Sequence, residues 1–155
     1  MSSGASILEA TEADLPAIEA LLIELINTLD NSQGFTTQKI IDNCHLLINR
    51  TDSHLLVAKI DEIVVGLINF SLRQTATAPG TTGLIDELIV SKDYRGQRIG
   101  KRLVSAAINK CRQLGCCELE VSTEKTNTKA REFYKRCGFN EDAFFLEMHF
   151  DKESI

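Results

Sequence analysis

Apolar positions along this 155-residue chain fall into short runs whose period alternates between two and about 3.6. Ser6-Ile7-Leu8-Glu9-Ala10 predicts a first strand. Thr11 then serves as a helix N-cap with Asp14 as its acidic partner three residues on. Leu15, Ile18, Leu22, Leu25, Ile26 and Leu29 follow at helical spacing. A second helix starts at Thr36 or Thr37 and buries Ile40, Ile41, Cys44, Leu47 and Ile48. Residues 54–60 and 63–72 are apolar runs separated only by Asp61-Glu62, which predicts a hairpin. TATAPGT, residues 75–81, is a loop by composition. A strand from Leu84 to Val90 leads through YRGQRIG, residues 94–100, into a helix that Gly115 stops. Its apolar face is Ile99, Leu103, Ala106, Ala107, Cys111 and Leu114. Cys117 to Val121 alternates as a strand. Asn127 caps a short helix carrying Ala130, Phe133, Tyr134 and Cys137, Gly138 closes it, and Phe139 to Phe150 supplies one or two final strands.

The order β-α-α-β-β-β-α-β-α-β-β puts an early antiparallel run before βαβ crossings, an α/β (α+β) pattern with one sheet flanked by helices. The length suits a single domain, residues 1–155. Composition, 43% hydrophobic and 25% charged, is that of an ordinary globular protein. No stretch approaches the roughly 18 apolar residues of a membrane span. MSSGASILEA lacks the basic start and apolar core of an export signal, so a cytoplasmic location and no membrane partner are expected. The five cysteines form no C-x-x-C pair, so neither disulfides nor a metal site is expected. Cys116, Cys117 and Cys137 are assigned to packing.

The net charge of -5 conceals an asymmetry. Residues 91–136 hold 12 Lys/Arg against 5 Asp/Glu, whereas residues 1–90 hold 4 against 12. A basic segment inside an acidic chain suits a polyanionic ligand there, with cations tolerated elsewhere. Nucleic acid fits poorly, because the chain is acidic overall and no stripe of aromatic and basic residues is present.

The basic segment centres on YRGQRIG. A strand-loop-helix joint with glycines leaves backbone N–H groups free at a helix N-terminus, an anion site in principle, and Arg95, Arg98, Lys101 and Arg102 add charge. Neither a Walker loop nor a G-x-G-x-x-G fingerprint is present. Composition alone leaves open whether the joint binds an anion or is a tight turn with charged decoration.

Three motifs in sequence then resemble a known family. Arg95 to Gly100 resembles the [QR]-x-x-G-x-[GA] pyrophosphate motif of the Gcn5-related N-acetyltransferases, with Arg98 where the middle glycine belongs. A non-glycine residue with helical φ/ψ at this position can still donate its backbone N–H. Ile85 to Val90 looks like the family's fourth strand. Asn127-x-x-Ala130-x-x-Phe133-Tyr134-x-x-x-Gly138-Phe139 looks like its N-x-x-A-x-x-[FL]-Y-x-x-x-G-F signature. The resemblance implies a GNAT-like, mostly antiparallel sheet of six to seven strands with about four helices. It implies acetyl-CoA as donor, with direct transfer to a primary amine. Backbone groups of Leu88, Ile89 and Val90 would pair with the pantetheine arm. Those of Arg95, Gly96, Gln97, Arg98, Ile99 and Gly100 would hold the pyrophosphate, with Lys101 near the phosphates and Asn127 on the arm.

Transfer to an amine needs a base for the ammonium proton and an acid for the departing thiolate. The resemblance gives Tyr134 the acid role. Glu87 is preferred as base and Asp86 is next; in a regular strand these neighbours face opposite ways unless a bulge intervenes. Glu120 is a third candidate, resembling a base of some protein N-terminal acetyltransferases. The acidic N-terminal part favours a cationic small-molecule acceptor such as a polyamine, amino sugar or aminoglycoside. A peptide N-terminus and a non-catalytic acyl-CoA-binding domain are the alternatives. The acceptor's identity is expected to lie in the N-terminal helices and in loops near residues 30–36 and 75–81. Members of the family are often dimers, so a homodimer is a further expectation.

Overall fold

The computed structural model describes residues 4–29 and 36–150. The chain forms two compact units, Met1–Val121 and Ser122–Ile155.

The first unit holds one five-stranded sheet: β1 (Ser6–Glu9), β2 (Ser53–Ile60), β3 (Ile63–Arg73), β4 (Thr81–Val90) and β5 (Cys116–Val121). The strands lie in sequence order, antiparallel from β1 to β4, while β5 runs parallel to β4. Between them come α1 (Leu15–Ile26), α2 (Thr37–Ile48) and α3 (Ile99–Gln113).

The local signals act as expected. The Asp14 carboxylate accepts from the Thr11 N–H at 2.9 Å, and a short 3-10 turn leads into α1. Asp14 also meets Lys59 Nζ at 2.8 Å, tying the start of α1 to β2. Thr36 Oγ1 accepts from the Lys39 N–H at 3.2 Å and caps α2. Asp61 and Glu62 both take positive φ, 47° and 65°, which lets two residues close the β2–β3 hairpin without a glycine. Leu29 departs from its expected helical place; it lies beyond the end of α1 and is half exposed.

Two layers cover the sheet. Leu15, Ile18 and Leu21 of α1 and Ile40 and Cys44 of α2 pack on Leu55, Val57, Leu67 and Ile89. On the other face α3 buries Leu103, Val104 and Ala107 completely. Gly66 permits that approach: a Cβ there would lie 3.1 Å from the Ile89 carbonyl oxygen and 3.2 Å from Leu103 Cδ1.

The second unit contains α4 (Thr128–Arg136). The final strands expected over residues 139–150 are not there, so the described residues carry five strands rather than six to seven. Apolar side chains can suit a strand, but a strand exists only through a partner's hydrogen bonds. This segment pairs with no strand, and Phe144, Phe145, Leu146, Met148 and Phe150 stay exposed.

Cys44 and Cys111 are core residues, and Cys116 and Cys137 are half-buried. Cys117 is exposed rather than packed: it is the extra residue at the irregularity where Thr81 pairs with Cys116 and Thr82 with Glu118. No helix among the described residues is long and apolar enough to cross a membrane.

Candidate active site

The β3–β4 register places Phe70 opposite Ile85 and Asn69 opposite Glu87, so Asp86 is one residue too many for its partner strand. This bulge changes where the carboxylates point. Asn69 Nδ2 donates to Glu87 Oε2 at 2.7 Å, and the Ser71 side chain favours the ionised Asp86 carboxyl. Asn69 and Ser71 are two apart on β3 and share a face, so Asp86 and Glu87 share it too. A regular strand would have separated them. The face is the one α1 and α2 cover, where Leu67 and Ile89 join the core.

Burial raises the Glu87 pKa; the Asn69 hydrogen bond works against this and the Asp86 charge adds to it. The Asp86 pKa is also raised by loss of solvent around the carboxyl, opposed by Ser71, although the residue as a whole is exposed. Burial, then the charges of Glu87 and Glu19, push the Cys44 thiol up to about 11, which keeps it protonated. A carboxylate whose pKa is raised accepts a proton more readily near neutrality than an ordinary one.

From this pair β4 runs toward the basic joint with one edge open. Its ladder to β3 continues to Val90, but its ladder to β5 ends at Ile85 opposite Val121. The stretch containing Leu88, Ile89 and Val90 thus carries backbone groups on the β5 side that β5 does not pair. After a 3-10 turn, Lys92–Tyr94, the chain enters α3 through Gly96 at φ 78° and Arg98 at φ 62°, ψ 14°. Arg98 is therefore left-handed. The tight reversal into α3 needs a positive φ at this position, the conformation a glycine supplies without strain.

No side chain caps α3. The N–H groups of Ile99, Gly100 and Lys101, in its first turn, lack intrahelical acceptors and point out along the positive end of the helix dipole. Gln97, Arg98, Lys101 and Arg102 are exposed around them. Arg95 is committed elsewhere: it donates to Glu24 Oε1 at 3.0 Å and to the Val90 carbonyl at 3.1 Å. Glu24 also accepts the Lys92 N–H at 2.9 Å.

In the second unit, Asn127 Oδ1 accepts from the Ala130 N–H at 3.1 Å and starts α4. The other end is a Schellman cap: the Phe139 N–H reaches the Tyr134 carbonyl, the Gly138 N–H reaches that of Lys135, and Gly138 has φ 108°. This explains Y-x-x-x-G-F physically, because the cap lays Phe139 edge-on against Tyr134 at 5.6 Å. Phe133 flanks the same ring at 5.1 Å. Burial, then Cys137, pushes the Tyr134 phenol up to about 12.

Glu120 is held by Arg73 through both oxygens, at 2.9 and 3.1 Å, and so is less available as a base than Glu87. A cavity of about 310 Å³ between α1 and α2 is lined by Glu12, Leu15, Glu19, Ile41, Cys44 and His45. Of the loops expected to shape the acceptor site, residues 30–35 lie outside the described residues. Asn69, Ser53 and Glu24 escaped the sequence reading. Asn69 had left one signal, an amide within the apolar run Ile63 to Phe70; Glu24 had left none.

Comparison with known proteins gives the family. The model of the acetyltransferase (GNAT) family matches residues 20–139. The chain is 32% identical over 139 residues to the aminoalkylphosphonate N-acetyltransferase of Salmonella typhimurium, covering 87% of this chain and 84% of that one. It is 25% identical to the aminoglycoside N(6')-acetyltransferase type 1 of Stenotrophomonas maltophilia, covering 91% and 90%. The solved structure of AAC(6')-Iy in complex with the bisubstrate analog CoA-S-monomethyl-acetylneamine superposes with a TM-score of 0.82 at 16% identity, over 96% of this chain and 99% of that one. The chain belongs to the acetyltransferase (GNAT) family. It is an N-acetyltransferase.

Proposed function

We propose that this enzyme moves acetyl directly from acetyl-CoA to a primary amine of a small cationic acceptor, with residues 1–155 acting as one domain. The observation that carries the proposal is the open edge of β4, which runs from Asp86-Glu87 to the uncapped start of α3. At about 3.3 Å per residue, five residues of strand span roughly 16 Å, the scale of an extended pantetheine arm. An arm lying there adds as a strand to Leu88, Ile89 and Val90. The pyrophosphate then meets the N–H groups from Gly96 to Lys101, with Gln97, Arg98, Ile99 and Gly100 between them. Asn127, with Oδ1 used in capping, keeps its Nδ2 donors for the cofactor.

When bound, acetyl-CoA supplies an activated acetyl group. Glu87 takes a proton from the ammonium of the acceptor, with Asp86 beside it holding the cation. The neutral nitrogen attacks the acetyl carbon, the C–N bond forms and the C–S bond breaks. Tyr134 would give its proton to the sulfur, and the attacking nitrogen, which carries one proton more than the amide product, would pass that proton to the Tyr134 oxygen and restore the phenol. The carboxylates Glu12 and Glu19 along the α1–α2 cavity favour a cationic amine. Both curated relatives described above act on amines by name, an aminoalkylphosphonate and an aminoglycoside.

The test is release of coenzyme thiol from acetyl-CoA across a panel of polyamines, amino sugars, aminoglycosides, aminoalkylphosphonates and peptide N-termini. Turnover with one or more small amines is expected. Binding of acetyl-CoA with no turnover on any amine would overturn the proposal, and turnover restricted to peptides would replace the acceptor class.

A further inference from the structure

Glu87 does not stand alone in the sheet. It belongs to a buried polar line across three strands: Ser53 Oγ donates to Asn69 Oδ1 at 3.1 Å, and Asn69 Nδ2 donates to Glu87 Oε2 at 2.7 Å. Ser53 and Asn69 are buried, and Asn69 is only 3% exposed. An amide placed in a sheet core costs stability unless both ends are bonded, and here both are. The chemistry also fixes the amide's orientation. A carboxylate only accepts, so the NH₂ end must face Glu87, and the oxygen end must face a donor, which the serine hydroxyl supplies. Asn69 lies directly opposite Glu87, next to the bulge at Asp86. It therefore acts where the backbone is least regular and the carboxylate most needs a fixed partner.

We infer that Asn69, locked by Ser53, is a positioning residue for acetyl transfer: it holds Glu87 by one oxygen and leaves the other to meet the amine. This rests on the reading of Glu87 as the base. Among the described residues Glu87 Oε1 has no hydrogen-bond partner, so Asn69 orients the carboxylate without occupying it. Asn69 also favours the anionic form against the burial and the Asp86 charge that oppose it. Without this donor the acid would be aimed less well and protonated over a wider pH range.

The experiment measures pH profiles of kcat/KM for the amine, with KM for acetyl-CoA, in Asn69→Ala, Ser53→Ala, Glu87→Gln and the Asn69→Ala/Glu87→Gln pair. Asn69→Ala is expected to lower kcat/KM by about 10- to 100-fold, the worth of a hydrogen bond to a charged group. It should move the acidic limb to higher pH and leave the KM for acetyl-CoA nearly unchanged. Ser53→Ala keeps the amide in place and should shift the limb the same way by less, which preserves the test where Asn69→Ala fails to fold. Once Glu87 is Gln, adding Asn69→Ala should cost little more, whereas a merely structural asparagine would exact its full cost in both backgrounds. An unmoved acidic limb in folded Asn69→Ala or Ser53→Ala, with Glu87→Gln inactive, overturns this inference alone. Wild-type turnover in Glu87→Gln overturns the base assignment beneath it.

Discussion

Glu24 of α1 holds Arg95 at 3.0 Å and the Lys92 N–H at 2.9 Å through one carboxylate oxygen. The first arginine of the phosphate motif is thus turned toward α1 and anchors the loop that presents the α3 amides. Glu24→Ala should weaken acetyl-CoA binding by about two- to fivefold with kcat little changed, since a half-exposed pair contributes modestly. Arg95→Ala should match it. Calorimetric titration of the coenzyme checks both, and a much larger loss in Arg95→Ala would mean that the guanidinium itself reaches the phosphates.

Arg98 occupies a left-handed position that glycine adopts without strain. Arg98→Gly should raise stability by about 0.5–1 kcal/mol, about one to four degrees in Tm, while weakening the coenzyme a few-fold through the lost charge. Arg98→Ala loses the same charge and keeps the strain, so it should bind like the glycine variant and melt below it. Thermal unfolding of the two variants decides this; equal melting temperatures would remove the strain argument.

These details show what the sequence could and could not convey. Helix starts at Thr11, Thr36 and Asn127 and the stop at Gly138 were legible because capping is local, settled within four or five residues. The glycine-containing turn into α3 was legible for the same reason. The bulge at Asp86 was not, because nothing near it distinguishes one extra residue from regular alternation; it is defined only against β3. The line from Ser53 through Asn69 to Glu87 joins residues 16 and 18 apart in sequence, and no local signal links them. Residues 139–150 failed the other way: their apolar side chains suit a strand, but composition names no partner.

Tyr134 is half-buried between Phe133 and Phe139, and its phenol is pushed up to about 12. A phenol is neutral below its pKa, so Tyr134 keeps its proton throughout the working range and cannot set the basic limb of the rate profile. Tyr134→Phe should lower kcat by about 100-fold or more, the usual worth of a positioned acid, with coenzyme affinity nearly unchanged. The basic limb of the residual activity should stay where it was. Steady-state kinetics from pH 6 to about 10 tests both statements, and an unchanged kcat would exclude Tyr134 as the proton donor.

Glu87 places a stability cost at the site. Its pKa in the folded chain is raised, chiefly by burial, so the folded state binds its proton more tightly than the unfolded state does. Such a group contributes stability below its unfolded pKa, and that contribution is lost as pH rises through the folded pKa. At pH 8 the wild-type enzyme therefore carries a half-buried charge that a neutral side chain would not. Gln at this position still offers an oxygen to Asn69 Nδ2, so Glu87→Gln removes the charge and keeps the hydrogen bond. It should abolish most turnover and raise stability at pH 8 by about 1 kcal/mol, two to four degrees in Tm, the usual trade between function and stability at a site. The advantage should shrink as pH falls and vanish below the ordinary glutamate pKa. Melting curves of both proteins from pH 4 to 8 check the sign, and a glutamine variant less stable than wild type at pH 8 would mean that the network, not the charge, dominates there.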